Sequence, residues 1–428
     1  MKLAIIGSGY VGLVTAVCFA KRGHNVICVD IDKQKIDSIN HGEPGIFESN
    51  LKEYLKDSLN RGLIKATTDL DYAIENSELC FICVPTPSKP DGSIDLAYIK
   101  NVSEAVGKRI PKRHYVVVIK STVVPGTTDA IVIPLIEKAS GKKIGSDFGV
   151  CMNPEFLREG SAIYDCENPD RIVIGESDKL SGDLLQKLYS NHTCQIIRTN
   201  NKIAELTKYT SNAFLATKIT FANEIGNICK KLDVDVYEVM KIVSLDKRIS
   251  PHFLNAGIGF GGSCFPKDVA AIVAKSKEIG HEAKMLSQVL YSNKEQRLKI
   301  VELLEKRLND VKGKKISVLG LSFKPGTDDI RDAPSIDIIK FLKERGAKVV
   351  AYDPKASENM KKIHGDIEYK KSSQDALKGS DACLILTEWD EFKGLKDKDF
   401  NLMSKRVIIE GRKILNPENV KDFEGICW

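Results

Sequence analysis

The rhythm of apolar and polar positions changes twice along this chain. Over the first two hundred residues, short apolar runs alternate with stretches whose apolar residues recur every three or four positions. The runs predict strands at 3–6, 26–29, 79–84, 115–119, 150–152, 171–174 and 195–197. Helical stretches separate many of them, and such alternation argues for a parallel sheet with helices on both faces. From residue 201 the helical period persists to 232, with no proline and one glycine, Gly226. At 1.5 Å per residue this helix spans roughly 45 Å, too long for one small domain, so it reads as a spine linking two lobes. Further helices are predicted at 235–243, 267–279 and 286–308. A third rhythm begins at Lys314, with strands at 315–320, 348–352, 382–386 and 406–409 and a helix at 335–345.

The first strand runs into Gly7-Ser8-Gly9-Tyr10-Val11-Gly12, and a helical pattern follows. Alone, G-x-G-x-x-G is a weak signal; between a strand and a helix it is a dinucleotide fingerprint. Gly7 permits the tight turn, Gly9 admits a pyrophosphate against the helix N-terminus, and Gly12 packs helix on strand. Asp30 ends the second strand, where a carboxylate hydrogen-bonds ribose hydroxyls and repels a 2′-phosphate, so NAD is expected over NADP. Thr86 and Thr122 follow two later strands, at the strand ends where open parallel sheets hold ligands. The fold class expected is α/β, with two Rossmann-like doubly wound domains joined by a central helical segment containing one long helix. The expected boundaries are 1–200, 201–308 and 309–428.

A second candidate site is Gly-Phe-Gly-Gly-Ser-Cys-Phe-Pro-Lys-Asp at 259–268. Pro266 suits a first helical position, and Asp268 falls in the first turn. Cys264 therefore faces the positive end of a helix dipole beside Lys267, conditions that favour a nucleophilic thiolate. A lone cysteine is ordinarily core; the flanking glycines and Pro-Lys-Asp argue otherwise here.

With 428 residues the chain exceeds one core. The net charge of +6 is mild and no basic stripe interleaves with aromatics, so small phosphate-bearing ligands suit it better than nucleic acid. No apolar run reaches membrane-spanning length, and the N-terminus lacks the pattern of a signal peptide, so a cytoplasmic protein is expected. The 11 cysteines are odd in number and scattered, unlike a disulfide framework. Cys80 and Cys83 have C-x-x-C spacing but lie on a buried-strand pattern without a second pair, so neither a metal nor a redox role is expected there.

The ordered motifs resemble the UDP-glucose/GDP-mannose dehydrogenase family, the nucleotide-sugar 6-dehydrogenases, over nearly the whole chain. They are Gly-Ser-Gly-Tyr-Val-Gly at 7–12, Val-Pro-Thr-Pro at 84–87, Ser-Thr-Val at 121–123, Asn-Pro-Glu-Phe-Leu-Arg-Glu-Gly at 153–160 and Lys-Tyr-Thr-Ser-Asn-Ala-Phe-Leu-Ala at 208–216. Asp-Lys-Arg-Ile at 246–249, the run from Phe253 to Asp268 and Phe-Lys-Pro-Gly-Thr-Asp-Asp-Ile-Arg at 323–331 complete the set. The resemblance implies oxidation of a sugar C6 alcohol to a carboxylate with two NAD+ per turnover, through a thiohemiacetal and thioester on Cys264. It implies proton handling by Lys208 and Asp268, an oxyanion and substrate contact from Asn212, and hydrolysis assisted by Glu155 with Thr122 holding water. Val11, Lys35, Glu159, Lys267 and Arg331 match cofactor contacts, with Gly7, Gly9, Gly12, Asp30, Thr86 and Thr122.

For the substrate it implies Glu155, Phe156, Leu157, Arg158, Lys208, Asn212, Phe253, Leu254, Asn255, Ala256, Gly257, Gly261, Lys324 and Arg412. Arg412 follows Glu410-Gly411, where the family often has Asp before Gly. Arg248 matches an arginine reaching a neighbouring subunit, which implies a homodimer built on the long helix. The cofactor is expected on the N-terminal lobe and the substrate's nucleotide on the C-terminal one, with no metal. UDP-glucose, oxidised to UDP-glucuronate, is expected from the 253–257 motif. GDP-mannose shares the Ser-Cys loop, and the UDP-N-acetylmannosamine branch usually has His-Cys. A one-hydride 3-hydroxyacid-type dehydrogenase and a non-catalytic NAD sensor are the other classes; neither needs Cys264, Lys208, Asp268 and Glu155 together.

Overall fold

The computed structural model describes residues Met1–Trp428, which pack as two compact units, Met1–Ser211 and Asn212–Trp428. The first unit is built on β1 (Lys2–Ile6), β2 (Asn25–Val29), β3 (Ile64–Thr67), β4 (Leu79–Ile82), β5 (Tyr115–Ile119), β6 (Phe148–Met152), β7 (Arg171–Glu176) and β8 (Gln195–Thr199). Their order across the sheet is β3-β2-β1-β4-β5-β6-β7-β8. Alternate residues of β1 serve different cores, as the strand period requires. Leu3 and Ile5 join Val14 and Val17 on one face, while Ala4 and Ile6 join Ile99 and Ile136 on the other. The helix after β1 runs Tyr10–Lys21, and Gly9 is its N-cap.

Two features of this unit depart from the sequence reading. The sheet is not wholly parallel: β6 and β7 pair antiparallel, Cys151 opposite Glu176 and Met152 opposite Gly175. β3 was not foreseen, because only four residues, two of them buried, carry it.

The long helix runs Asn201–Leu232, matching the periodic stretch to the residue. Its one glycine has a packing cause: a Cβ on Gly226 would stand 2.7 Å from Cys427 Cβ. In the second unit follow helices Val236–Val243, Phe265–Glu278 and Lys284–Leu308. The last of these buries Val289, Asn293, Gln296, Arg297, Ile300, Val301, Leu304 and Leu308, a stripe at helical spacing with three polar members. The second sheet contains β9 (Lys315–Leu319), β10 (Lys348–Tyr352), β11 (Glu368–Tyr369), β12 (Ala382–Ile385), β13 (Ile408–Glu410) and β14 (Phe423–Gly425). It is parallel throughout, in the order β11-β10-β9-β12-β13-β14. That is the 3-2-1-4-5-6 order of a dinucleotide fold, and six adjacent strands of the first sheet repeat it. β11 and β14 escaped the sequence reading because they have two and three residues. No helix is long and apolar enough to cross a membrane.

Candidate active site

The glycine turn of the first unit has the geometry the motif demands. Gly7 has φ +95°, and a Cβ there would lie 2.8 Å from the Cys83 carbonyl oxygen; at Gly12 it would lie 1.9 Å from the Gly7 oxygen. Gly9 differs: a Cβ would meet nothing within 4 Å, so its face is open for a ligand at the start of a helix. Asp30 Oδ2 accepts from Ser8 N at 2.9 Å and from Lys35 Nζ at 2.9 Å, and Oδ1 accepts from Asp32 N at 3.1 Å. Burial pushes the Asp30 carboxyl up, but Lys35 and the two N–H donors outweigh it and hold the pKa below the usual range. The charged carboxylate fits ribose hydroxyls. The Thr86 and Thr122 loops are joined by Ser121 Oγ, which donates to Val84 O at 2.7 Å and Ile82 O at 3.2 Å.

Glu205, which sequence reasoning did not select, holds the Thr122 loop. Its buried carboxylate accepts from Gly126 N at 2.5 Å, Thr128 N at 2.8 Å and Thr128 Oγ1 at 2.6 Å. One turn later on the long helix stands Lys208, whose ammonium lies 2.8 Å from Glu155 Oε1, both side chains buried. Glu155 Oε2 accepts from Leu157 N at 2.6 Å. Burial raises the Glu155 carboxyl; the Lys208 charge and hydrogen bond, the Leu157 N–H and the Lys120 charge prevail, and the pKa is lowered. Lys120 is itself buried, donates to Asn153 Oδ1 at 2.9 Å, and has its pKa lowered chiefly by burial. Phe156 lies under the Arg171 guanidinium at 4.1 Å, and Arg158 makes an exposed fork with Asp165 at 2.5 and 3.0 Å.

Glu48 is a second missed residue. It is buried, and accepts from Gly160 N at 2.7 Å, Ala162 N at 3.0 Å and the Tyr10 hydroxyl. Tyr10 belongs to the glycine turn, and Gly160 ends the segment carrying Glu155 and Glu159, so Glu48 joins the two.

In the second unit, Cys264 is the N-cap of helix Phe265–Glu278, so Pro266 occupies the second helical position, not the first. Cys264 O accepts from Asp268 N at 2.8 Å. Its Sγ is 3.5 Å from Ser263 Oγ, and the residue is half-buried. Asp268 is buried and accepts from Asn212 Nδ2 at 2.6 Å and Lys267 Nζ at 2.7 Å. The structure thus brings Asn212, Lys267 and Asp268 together in the first turn behind Cys264. Of the 11 free cysteines, only Cys166, Cys194 and Cys264 are not buried. Burial pushes Cys80 and Cys83 up to about 12, as inert strand thiols require.

The glycines before Cys264 allow close approach. A Cβ on Gly257 would lie 2.5 Å from Gly411 O, one on Gly261 2.3 Å from Asp332 O, and one on Gly262 2.7 Å from the Phe323 ring. Arg412 Nη2 donates to Gly259 O at 2.7 Å, which fixes this arginine against the same loop. Leu254 and Ala256 are buried, Asn255 is exposed, and the Phe253 ring lies 6.0 Å from that of Phe265. Lys324 Nζ lies 5.4 Å from the Phe323 ring centre. The Arg331 side chain forks onto Asp329, with contacts of 2.6 to 3.0 Å. Arg248 is exposed and forks onto Asp246.

Comparison with known proteins accounts for both halves. Residues 1–193 match the NAD binding domain of the UDP-glucose/GDP-mannose dehydrogenase family, 202–295 its central domain and 317–417 its UDP binding domain. The chain is 44% identical to a UDP-glucose 6-dehydrogenase of Haloferax volcanii, over 100% of both chains. It is 40% identical to a GDP-mannose 6-dehydrogenase of Pseudomonas savastanoi pv. phaseolicola, again over 100% of both. A UDP-glucose dehydrogenase structure from Pyrobaculum islandicum superposes with a TM-score of 0.94 at 40% identity, covering 100% of this chain and 98% of that one. An open glycine turn with a charged carboxylate beside it, a cysteine heading a helix and three matched domains all lead to one assignment: this chain is an NAD-dependent oxidoreductase of the UDP-glucose/GDP-mannose dehydrogenase family.

Proposed function

We propose that this protein oxidises the C6 alcohol of UDP-glucose to the carboxylate, giving UDP-glucuronate, with two NAD+ reduced per sugar. The observation that carries the reading is Cys264, a half-exposed thiol heading a helix whose first turn holds the Asp268–Lys267–Asn212 cluster. When bound, NAD+ accepts hydride. Loss of hydride and a proton from the alcohol leaves an aldehyde. The Cys264 thiol adds across its C=O bond to give a thiohemiacetal, which can lose a second hydride and proton to become a thioester. Water then cleaves the C–S bond, releasing the carboxylate and the thiol.

Glu155, kept ionised by Lys208, is the base for that water, with Thr122 beside it in role. Lys208 and Asn212 stabilise negative charge on the sugar oxygen, and Asp268 takes part in proton handling. Glycines 7, 9 and 12, Val11, Asp30, Lys35, Thr86, Thr122, Glu159, Lys267 and Arg331 serve the cofactor. Phe156, Leu157, Arg158, residues 253–257, Gly261, Lys324 and Arg412 serve the substrate. Functionally we divide the chain at 1–200, 201–308 and 309–428.

We also assign it a homodimeric, cytoplasmic state. Phe214, Phe221 and Ile228 are exposed at seven-residue intervals on the long helix, a stripe suited to a second copy of the same helix. Arg248, 88% exposed, is available to such a partner. Phe221→Asp should shift the mass measured by light scattering from dimer to monomer.

The catalytic test is turnover on a panel of UDP- and GDP-sugars with NADH counted per sugar. UDP-glucose should be preferred, with a count of two; a preference for GDP-mannose would reassign the substrate, and a count of one would exclude the covalent route. Cys264→Ser and Cys264→Ala should lose most turnover. Retention of wild-type rate and two NADH by both variants would remove Cys264 as nucleophile.

A further inference from the structure

Three polar side chains of helix Lys284–Leu308 are buried at positions its pattern reserves for the core, and all three grip one backbone segment. Asn293 Oδ1 accepts from Phe260 N at 2.8 Å, and its Nδ2 donates to Phe260 O at 2.9 Å. Gln296 Nε2 donates to Gly257 O at 2.8 Å. Arg297 Nη2 donates to Phe260 O at 3.0 Å and Asp332 O at 3.1 Å, while Nη1 donates to Asp332 Oδ1 at 3.0 Å and Asp337 Oδ2 at 2.5 Å. From the long helix, Asn223 Oδ1 accepts from Gly257 N at 2.8 Å. The segment so held ends four residues before Cys264.

Arg297 differs from its two neighbours because it reaches two loops. One is the glycine segment leading to Cys264; the other, 323–332, carries Lys324 and Arg331. Gly262 N donates to Arg331 O at 2.9 Å, a second tie between these loops. Asp332 has φ +50°, a conformation a non-glycine residue adopts at a cost, and its side chain and carbonyl both meet the guanidinium. A guanidinium suits this task because its planar fork serves several acceptors in fixed directions. A buried charge with four carboxylate and carbonyl acceptors is an expensive way to fill a core, since apolar residues of like volume usually stabilise as well or better.

We propose that Arg297 is a positioning residue for the nucleophile: it clamps the Phe260 segment to the Asp332 loop, so that the backbone leading into Cys264 and the loop of Lys324 and Arg331 hold one fixed geometry. The inference rests on the reading of Cys264 as nucleophile for its catalytic consequence, but the clamp can be tested without turnover. Iodoacetamide labelling of Cys264 is followed by peptide mass, with Cys194, in the other unit, as internal reference.

In Arg297→Met the Cys264 labelling rate should change at least five-fold while Cys194 is unaffected. The kcat with UDP-glucose should fall at least ten-fold. Arg297→Lys, which restores the charge but not the fork, should recover only part of either effect. If Arg297→Met does not fold, Asp332→Asn removes the charge at the other end of the clamp from a partly exposed position, with the same direction expected. A folded Arg297→Met or Asp332→Asn whose Cys264 labelling stays within two-fold of wild type overturns the proposal. Absence of UDP-glucose oxidation in wild type would instead overturn the substrate reading, and the labelling comparison would still decide the clamp.

Discussion

The two sheets begin alike and end differently. In each, the first strand leads into a glycine of high positive φ, Gly7 at +95° and Gly320 at +96°. In each, the second strand ends in an aspartate that accepts from the serine after the turn, Asp30 from Ser8 N and Asp353 from Ser322 N. The difference lies in what remains. After Gly7 a helix starts at Tyr10, and the face of Gly9 is open. After Gly320 the chain wanders through 321–333 before a helix starts at Pro334. Asp353 is enclosed by its own loops, accepting from Leu321 N at 2.7 Å, Ala356 N at 2.7 Å, Lys355 N at 2.8 Å and Trp389 Nε1 at 3.1 Å. The same topology thus yields one aspartate beside an open glycine turn and another that serves as an internal brace. Fold alone does not confer a cofactor site; the groups left over at the strand ends do.

Substitutions at matched positions can break this comparison. The largest effect is expected at the glycines. Gly9→Val should keep the melting temperature within a few degrees yet weaken NAD binding by at least about a hundred-fold, read by calorimetry, because its side chain would fill ligand space. Gly320→Val should fail to fold or lose several kcal/mol, since a Cβ there meets Thr387 N at 2.6 Å in a left-handed conformation. Equal stability of the two variants would erase the distinction.

At the aspartates the effects are next in size. Asp30→Asn should lower the ratio of kcat/KM for NAD over NADP by ten-fold or more. Asp353→Asn should leave that ratio alone and cost about 2 to 3 kcal/mol in denaturant unfolding, because buried N–H donors lose a charged acceptor. A cofactor-ratio change in Asp353→Asn would contradict its assignment as a brace.

Acid behaviour gives the smallest and sharpest contrast. The Glu155 carboxyl lies below its usual range, so the native state holds that proton more weakly than the unfolded chain. Its stabilisation is complete above the unfolded value near 4.3 and is lost as pH falls through the lowered native value. Glu410 in the second unit is buried and raised, against the pull of Leu415 N, Ile414 N and Trp428 Nε1. Its penalty is absent in acid and grows as pH rises from the usual range to the raised value. Melting temperatures between pH 3 and 7 should therefore show Glu155→Gln losing most, relative to wild type, at neutral pH. Glu410→Gln should improve relative to wild type as pH rises. Parallel curves for the two variants would refute both assignments.

Much of this was legible in the sequence because the signals were local. The 201–232 helix needed only its period, and the glycine turn only its place between strand and helix. Cys264 was marked by its glycines and by Pro266. The braces were not legible, because a buried polar residue declares itself only through distant partners. Glu48 lies in a loop without periodicity, and Glu205 reads as one more charged helix residue. Asn293, Gln296 and Arg297 did leave a trace: they occupy the i+4, i+7 and i+8 places of a stripe beginning at Val289 and otherwise filled by Ile300, Val301, Leu304 and Leu308. Polar residues at those places signal a partner inside. The antiparallel β6–β7 pair had no comparable signal, since strand direction is set by the connection.

The glycine turn also constrains how this sequence can drift. Gly7 and Gly12 are fixed by neighbouring backbone, at 2.8 and 1.9 Å from where a Cβ would stand, whether or not any ligand is bound. Of the three, only Gly9 has no neighbour within the chain that demands its smallness. A descendant relieved of hydride chemistry would be free to replace Gly9 while keeping the other two, decaying from G-x-G-x-x-G to G-x-x-x-x-G. The middle glycine is thus the one position of the motif that the chain's own packing leaves open to change.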